Sequence, residues 1–204
     1  MLRELILTSG DFATTHWFPH DPPPMLPPPE GTTVETIRDA GDADLFAIGP
    51  VSPAEAKQRL SEGDSCVVAT DAAGLAAAMW CSERKRFIKW IGCNIRPPPG
   101  HVHFYNAWVR PDTRGVNLQW VMAAAACANV VALGRQKICA GVERREFPPF
   151  ARKYAAIGLG VISPYQSVWA YRALGMTAVL RTRPPSSLNK ASRKADAIFA
   201  RRAG

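Results

Sequence analysis

The sequence predicts a mixed α/β fold, in which helices flank a mixed β-sheet. Its candidate elements follow one another in the order β, α, α, β, β, β, α, β, α, β, β. The 204 residues are 47% hydrophobic and 21% charged, a composition able to bury the core of one large domain. The clearest local signal covers residues 101–134, where an alternating segment, a PDTRG turn and an Ala-rich segment indicate a strand, a turn and a helix.

The first 32 residues are predicted to be an extension that precedes the main domain. Residues 2–8 have the pattern of a short strand or a helical turn. Residues 19–29 are dense in proline, which lacks a backbone donor and does not join the interior of a sheet. This segment is therefore predicted to be an extended linker, or a strap that lies over the surface.

The main domain is predicted over residues 33–184, and its first half begins with an alternating strand and a short helix. Ser52, Pro53 and Glu55 then predict a second helix start, because they supply a cap, a proline at the first helical position and a capping-box acid. Further strands are predicted at residues 65–70 and 75–83, before a basic and aromatic hairpin or lid over 84–100.

The second half of the domain is organised around the strand at residues 101–110. A helix over about 116–133, a strand at 136–143 and a short helix over about 149–157 are predicted to follow it. The segments SVWAYRA and TAVLRTR are the last candidate strands. Residues 185–204 are predicted to be a basic C-terminal tail or helix.

The formal net charge is +8, and much of the basic excess lies in the C-terminal segment. A solvated basic tail is favoured over a nucleic-acid surface, because basic and aromatic residues are not interleaved as in single-strand binders. The chain shows neither an apolar run long enough to cross a bilayer nor a secretion signal. The five cysteines form no C-x-x-C pair, so we expect reduced, mostly buried thiols in a cytoplasmic protein.

Residues 101–134 predict a site that holds an anion, because unpaired N–H groups and the helix dipole converge where a strand turns into a helix. VHFYNAWVRPDTRG, the Ala-rich helix after it, ICAGVE and a short helix with a tyrosine resemble the Gcn5-related N-acetyltransferase (GNAT) family. The resemblance covers roughly residues 33–183. It implies a sheet that is splayed between the family's fourth and fifth strands, with acyl-coenzyme A bound in the splay. It also implies that an acyl group, first of all acetyl, is transferred when a small-molecule or peptide amine attacks the thioester directly.

The resemblance implies a donor site on this strand, turn and helix. The main chain of Ala107, Trp108 and Val109 would pair with the pantetheine arm, and one N–H would polarise the thioester carbonyl. The family's phosphate loop reads Arg/Gln-x-x-Gly-x-Gly/Ala, and the matching residues here are Arg114, Gly115, Val116, Asn117, Leu118 and Gln119. Asn117 and Gln119 depart from the pattern where pyrophosphate must approach the backbone closely. A long-chain acyl-CoA donor, an acyl-carrier-protein donor, and a binding module without catalysis are therefore kept as alternatives.

Two tyrosines are candidates for the general acid with which the family protonates the leaving thiolate. Tyr154 begins a Tyr-x-x-x-Gly motif on the predicted short helix, and it is favoured because this choice preserves the element count. Tyr171 begins a closer copy of the motif but comes late in the chain. His103 is the candidate base, because a neutral imidazole can accept a proton from an ammonium substrate.

A metal site is not favoured, because His101 and His103 lie two apart on one strand without a nearby carboxylate. His16 and His20, the other histidines, belong to the N-terminal extension. An acidic carrier protein would suit the basic surface as a partner, and a homodimer is left open. In the family, acceptor specificity comes from segments that correspond here to residues 41–63 and 161–183, whose side chains point to no single amine class.

Overall fold

A computed structural model of the chain describes residues 10–19, 25–88, 93–115, 117–135, 137–143, 147–156, 158, 160–173, 176–182 and 186–203. The strands are β1 (Gly10–Pro19), β2 (Thr33–Ile37), β3 (Ser65–Asp71), β4 (Gly74–Ser82), β5 (Arg86–Ile88), β6 (Cys93–Ile95), β7 (His101–Val109), β8 (Lys137–Glu143), β9 (Gly160–Ala173) and β10 (Met176–Thr182). The helices are α1 (Pro53–Ser61), α2 (Leu118–Ala132), α3 (Phe147–Ala156) and α4 (Ser186–Ala203), with 3₁₀ segments at Ala40–Ile48 and Pro111–Thr113.

Eight strands form one sheet in the order β10-β9-β1-β8-β7-β4-β3-β2, and β5 and β6 form a separate hairpin. β7 and β8 pair in parallel, whereas the other neighbouring strands pair antiparallel. The sheet is therefore mixed, and helices pack against both of its faces. This arrangement confirms the predicted fold class.

β1 is an element that the sequence analysis did not predict. It lies inside the sheet, where it pairs with β8 on one side and β9 on the other. Proline ends the strand at Pro19, and residues 25–29 of the predicted strap form neither strand nor helix. The predictions for residues 2–8 and 20–24 fall outside the described residues.

Two apolar clusters hold the sheet between its helices. In β3, Val67 and Ala69 belong to the first cluster, while Cys66 and Val68 belong to the second, as the two-residue period of a strand requires. The first cluster lies against α2 and α3, and the alanines of α2 let its backbone approach the sheet closely. The second lies against α1 and the 3₁₀ segment Ala40–Ile48. Helices α1 and α2 therefore cover opposite faces of the sheet.

The helix start signals explain where two of the helices begin. The Ser52 hydroxyl accepts a hydrogen bond from the Glu55 N–H at 3.2 Å, and Pro53 occupies the first turn of α1, as predicted. Helix α3 begins at Phe147 rather than at the predicted Pro149. The Phe147 side chain is fully buried in the first cluster and anchors this earlier first turn.

Four cysteines are free thiols buried in the core, as predicted: Cys66, Cys81, Cys127 and Cys139. Burial raises the pKa of the Cys81 and Cys139 thiols to about 12, so both stay protonated and unreactive at neutral pH. Within the described part of the chain, no helix is long and apolar enough to cross a membrane.

Candidate functional site

The strands β7 and β8 diverge where the site forms. They pair from His101 opposite Lys137 to Phe104 opposite Ala140, although β7 continues to Val109. The second half of β7 therefore keeps a ladder partner only in β4, as far as the described residues extend. This is the splay that the family resemblance implied.

A β-bulge interrupts β7 at the splay. In β4, Trp80 lies opposite Tyr105 and Ala78 lies opposite Trp108. One residue of β4, Met79, therefore faces two residues of β7, Asn106 and Ala107. Asn106 has φ of +47°, in the left-handed region that asparagine tolerates better than most residues. The bulge disrupts the regular ladder and redirects the backbone groups of these two residues.

A cavity of about 480 Å³ lies between this part of β7, β4 and the N-terminus of α2, and we call it the front cavity. Its lining residues are Ala78, Met79, Ala107, Trp108, Val109, Thr113, Arg114, Gly115, Asn117, Leu118, Gln119, Trp120 and Met122. The structure thus brings together the residues that the sequence analysis placed in a donor site, apart from Val116, which lies outside the described residues.

The N-terminus of α2 is open toward an anion. Asn117 precedes the helix with φ of +61° and ψ of 13°, and its side chain makes no capping hydrogen bond to the first turn. The family pattern has glycine at this position, and asparagine adopts the left-handed conformation more readily than most other residues. Gly115 has φ of +93°, and a Cβ built on it would meet nothing within 4 Å. An anion can therefore approach the backbone of this loop despite the Asn117 substitution.

Two arginines of the loop have different roles. Arg110 binds Asp71 through Nη2 at 2.5 Å and Asp112 through Nε at 2.7 Å, and it also donates to the Leu75 carbonyl. Its hydrogen bond lowers the pKa of the Asp71 carboxyl. Arg110 therefore fixes the turn to β4, a role that the sequence analysis missed because Asp71 is far away in sequence. Arg114 is exposed, lines the front cavity, and makes no ion pair among the described residues.

Tyr154 lies behind the wall of the front cavity. It is 2% exposed, and its ring packs edge-on against Trp120 at 5.4 Å and tilted against Phe150 at 4.3 Å between centroids. Burial raises the pKa of the Tyr154 hydroxyl well above its usual value, so the group is protonated at neutral pH. Trp120 lines the cavity and separates it from Tyr154, which itself is not among the lining residues.

The structure places Tyr171 on a strand rather than on a helix. Its backbone lies in β9 opposite Ala178 of β10. The strands β8 and β1 lie between β9 and β7. Three strand spacings amount to roughly 14 Å. Tyr171 is therefore three strands away from the bulge in the sheet.

His101 and His103 are both buried in β7, and neither lines the front cavity. The His103 ring stacks on Tyr105 with centroids 5.6 Å apart, and its Nδ1 has no hydrogen-bond partner among the described residues. Burial lowers the pKa of His103 to about 4, so the imidazole is neutral but only weakly basic. Of the other two histidines, His16 lies in β1 and His20 lies outside the described residues.

A second cavity of about 410 Å³ lies on the α1 side of β7, and we call it the rear cavity. Its lining residues are Pro50, Val51, Glu55, Gln58, Arg59, Glu62, Arg86, Phe87 and Asn106. The Arg59 guanidinium lies over the rings of Trp80 and Tyr105, at 4.9 and 5.1 Å from their centroids. Cation–π contacts of this kind hold the arginine flat against the sheet.

A buried carboxylate organises the floor beneath the rear cavity. Asp64, whose side chain is 1% exposed, accepts hydrogen bonds from the Ser82 hydroxyl at 2.5 Å, from Arg86 Nη2 at 2.6 Å and from the Tyr105 hydroxyl. Arg86 also binds Glu62. The network joins the segment after α1, which holds Glu62 and Asp64, to β4, β5 and β7, and it fixes the positions of the lining side chains.

The two cavities meet at the bulge. Asn106 lines the rear cavity, while the next residue, Ala107, lines the front cavity. When the Asn106 amide is oriented with its oxygen toward Arg59, that oxygen accepts hydrogen bonds from Arg59 Nη2 at 2.9 Å and from Arg59 Nη1 at 3.1 Å. One peptide unit thus separates a cavity with an open helix N-terminus from a cavity rich in ionic side chains.

No family model matches the sequence, and no curated protein matches it significantly. A tandem GNAT protein from the clavulanic acid biosynthesis pathway has a TM-score of 0.53 at 16% identity, over 88% of this chain and 56% of that chain. A GCN5-related N-acetyltransferase from Sphaerobacter thermophilus has a TM-score of 0.53 at 14% identity, over 90% of this chain and 55% of that chain. A protein assigned to the GNAT acetyltransferases from Novosphingobium aromaticivorans has a TM-score of 0.50 at 16% identity, over 88% and 67%.

The chain spans just over half the length of the first two of these proteins and about two thirds of the third. At such low identity the likeness establishes the fold. It agrees with the splay of β7 from β8 and with the loop that leads into α2. The resemblance found in the sequence is therefore confirmed at the level of the fold: the chain has the fold of the GCN5-related N-acetyltransferase superfamily.

Proposed function

We propose that the chain is an acyl-CoA-dependent N-acyltransferase that moves an acyl group to an amine, and that this acyl group is acetyl. The observation that carries the proposal is the meeting of the two cavities at Asn106 and Ala107. A donor in the front cavity and an acceptor in the rear cavity are thereby held with their reacting groups together. Acyl transfer is also the reaction named for the proteins that share the fold.

The front cavity suits the donor. Arg114 and the N–H groups at the start of α2 hold the pyrophosphate, which approaches the backbone through the open space at Gly115. Asn117 preserves the backbone geometry of the loop, and the exposed Gln119 side chain adds a hydrogen-bond donor. The main chain of Ala107 to Val109, which has no partner strand on the β8 side among the described residues, pairs with the pantetheine arm.

The chemistry we propose is direct attack. The neutral amine attacks the thioester carbonyl carbon and a C–N bond forms. The nitrogen then loses a proton to solvent water, and the C–S bond breaks to release coenzyme A thiolate. A backbone N–H of the bulge stabilises the negative charge that develops on the carbonyl oxygen. We assign the proton that the thiolate takes up to the Tyr154 hydroxyl, which stays protonated at neutral pH. This role requires the Trp120 side chain, which lies between Tyr154 and the cavity, to move aside when the donor binds. His103 receives no role as base in this proposal, since burial lowers its pKa to about 4 and leaves the imidazole only weakly basic.

A binding test separates this proposal from its alternatives. Acetyl-CoA, free coenzyme A and palmitoyl-CoA are each titrated into the protein while the midpoint of thermal unfolding is followed. We expect acetyl-CoA and coenzyme A to raise the midpoint, and Arg114→Ala to weaken the effect. Arg152→Ala, which removes an exposed arginine of α3 outside the cavity lining, is the matched control.

Turnover is then measured as release of free thiol over a panel of amines. Thiol release with acetyl-CoA supports the proposal, whereas stabilisation by palmitoyl-CoA alone would indicate a long-chain donor. Binding without thiol release from any amine would indicate a module without catalysis. If none of the three compounds stabilises the protein, a coenzyme A donor is contradicted. An acyl carrier protein is then the donor that remains to be tested.

A further inference from the structure

We propose that the acceptor is an amine with a second positive charge, which the carboxylates of the rear cavity hold while the reacting amine lies at the bulge. This inference rests on the proposed N-acyl transfer and specifies the substrate class of its acceptor side. It follows from how the charges of the cavity are arranged, from an apolar surface beside them, and from the short path to Asn106.

One face of α1 lines the cavity. Glu55, Gln58, Arg59 and Glu62 follow the three- and four-residue spacing that aligns side chains along a helix, and all four are lining residues. The opposite side of the cavity is supplied by Arg86 and Phe87 of β5. The ionic groups of the cavity are therefore two arginines and two glutamates.

Both arginines are already committed to partners in the protein. Arg59 binds Glu55 at 2.5 Å and the Asn106 amide oxygen, and its side chain is 10% exposed. Arg86 binds Glu62, Asp64 and the Ser82 hydroxyl, and its side chain is 14% exposed. Both guanidinium groups therefore already bind acceptors of the protein, which reduces what the cavity offers to an anionic ligand.

The glutamates are the outermost charges. The Glu55 side chain is 51% exposed and that of Glu62 is 34% exposed, far more than the arginines beneath them. Each carboxylate oxygen accepts more than one hydrogen bond, so both glutamates retain acceptor capacity. The hydrogen bond from Arg86 lowers the pKa of Glu62, and Asp64 adds a further carboxylate underneath. The most exposed charged groups that line the cavity are consequently carboxylates, although Arg84 also acts on Glu62 from nearby.

The cavity also provides apolar surface for the carbon chain of such a ligand. Phe87 is 50% exposed, which is unusual for a large aromatic side chain, and Pro50 and Val51 line the same space. An aromatic face beside carboxylates favours a ligand in which methylene groups carry an ammonium.

The path from the carboxylates to the bulge is short. A single atom, Arg59 Nη2, contacts both Glu55 Oε1 and the Asn106 amide oxygen, so these two oxygens are at most two hydrogen-bond lengths apart. Ala107, which follows Asn106, lines the front cavity. A chain of a few methylene groups therefore spans from the anchored charge to the reacting nitrogen.

Three amines of matched length test the inference: diaminobutane, butylamine and γ-aminobutyrate, which end in an ammonium, a methyl group and a carboxylate. With acetyl-CoA as donor, we expect kcat/KM for diaminobutane to exceed that for butylamine about ten-fold, the value of one charge-assisted contact. We expect γ-aminobutyrate to be the poorest substrate, because its carboxylate meets Glu55 and Glu62.

Glu62→Gln and, separately, Glu55→Gln are expected to reduce the preference for diaminobutane over butylamine to about three-fold or less. Glu83→Gln is the matched control, because Glu83 is an exposed carboxylate that binds an arginine, Arg135, at 2.9 Å outside the cavity. It should leave the preference unchanged. The thermal midpoint of each variant checks that it is folded.

Equal turnover of the three amines, or a preference for butylamine or γ-aminobutyrate, would overturn the inference while leaving the proposed transfer intact. A preference for diaminobutane that persists in both glutamine variants would also overturn it. If acetyl-CoA binds and none of the three amines is acylated, the inference fails. Failure of acetyl-CoA to bind at all would instead identify the donor side of the proposed function as the error.

Discussion

The two cavities that meet at the bulge are built from different chemistry. The front cavity presents main chain, namely the left-handed Asn117, the open Gly115 and the uncapped first turn of α2. The rear cavity presents side chains that bind one another, with Arg59 on Glu55 and Arg86 on Glu62. A site made of backbone tolerates a change of side chain as long as the conformation is kept, whereas a site made of an ionic network changes with each member.

The largest effect is expected at the floor of the rear cavity. Asp64→Ala should lower the free energy of unfolding by about 3–5 kcal/mol, because Arg86 loses its buried partner and two hydroxyls lose their acceptor. Urea denaturation measures the change. Glu83→Ala, which breaks an exposed ion pair, should cost no more than about 1 kcal/mol. A similar small loss for both variants would show that the network does not organise the rear cavity.

The next effect concerns pH. Burial lowers the pKa of His103 from 6.5 to about 4, so the unfolded chain binds a proton at pH values where the folded chain does not. The free energy of unfolding is not reduced by this difference above pH 6.5. It falls as the pH falls below that value, and the loss reaches about 3 kcal/mol at pH 4. His103→Gln should remove this part of the pH dependence of the free energy of unfolding. A variant with the same slope as the natural chain between these pH values would show that His103 is accessible to protons.

Tyr154→Phe tests the wall of the front cavity. We expect a fall in kcat of about 100-fold, since a general acid contributes at least that much. Acetyl-CoA affinity, followed by calorimetry, should stay within a factor of two or so, because the ring and its contact with Trp120 are kept. Unchanged turnover would remove Tyr154 from the mechanism.

The smallest effect separates backbone from side chain in the front cavity. Asn117→Gly should leave stability and coenzyme A affinity nearly unchanged, because glycine adopts the left-handed conformation freely. Asn117→Val should lower the free energy of unfolding by about 1–2 kcal/mol and weaken coenzyme A binding, because a β-branched residue is strained there. Equal affinity in both variants would mean that the loop does not bind through its backbone.

The same contrast explains what could be predicted from the sequence. The loop before α2 and the starts of α1 and α2 are local features, so cap residues and the PDTRG turn located them. The ionic floor could not be predicted, because Asp64 and Tyr105 are brought together by strand pairing and lie 41 residues apart. The clamp of Arg110 on Asp71 spans 39 residues and was missed for the same reason.

The strand β1 was missed because neither its own pattern nor the residues next to it in the sequence indicate a strand. The ten residues GDFATTHWFP lack a continuous apolar run, and a proline-rich segment follows them directly. Their strand conformation depends on pairing with β8 and β9, which come more than a hundred residues later in the sequence. Local propensity carries little of that information.

Amide hydrogen exchange with and without acetyl-CoA tests the central claim most directly, because it reports where the donor orders the backbone. We expect slower exchange in peptides that cover residues 105–120, which include the bulge, the loop and the first turn of α2. Exchange in α1 should be unaffected until a diamine is added. No slowing within residues 105–120, or slowing in α1 on addition of acetyl-CoA alone, would contradict the assignment of the donor to the front cavity.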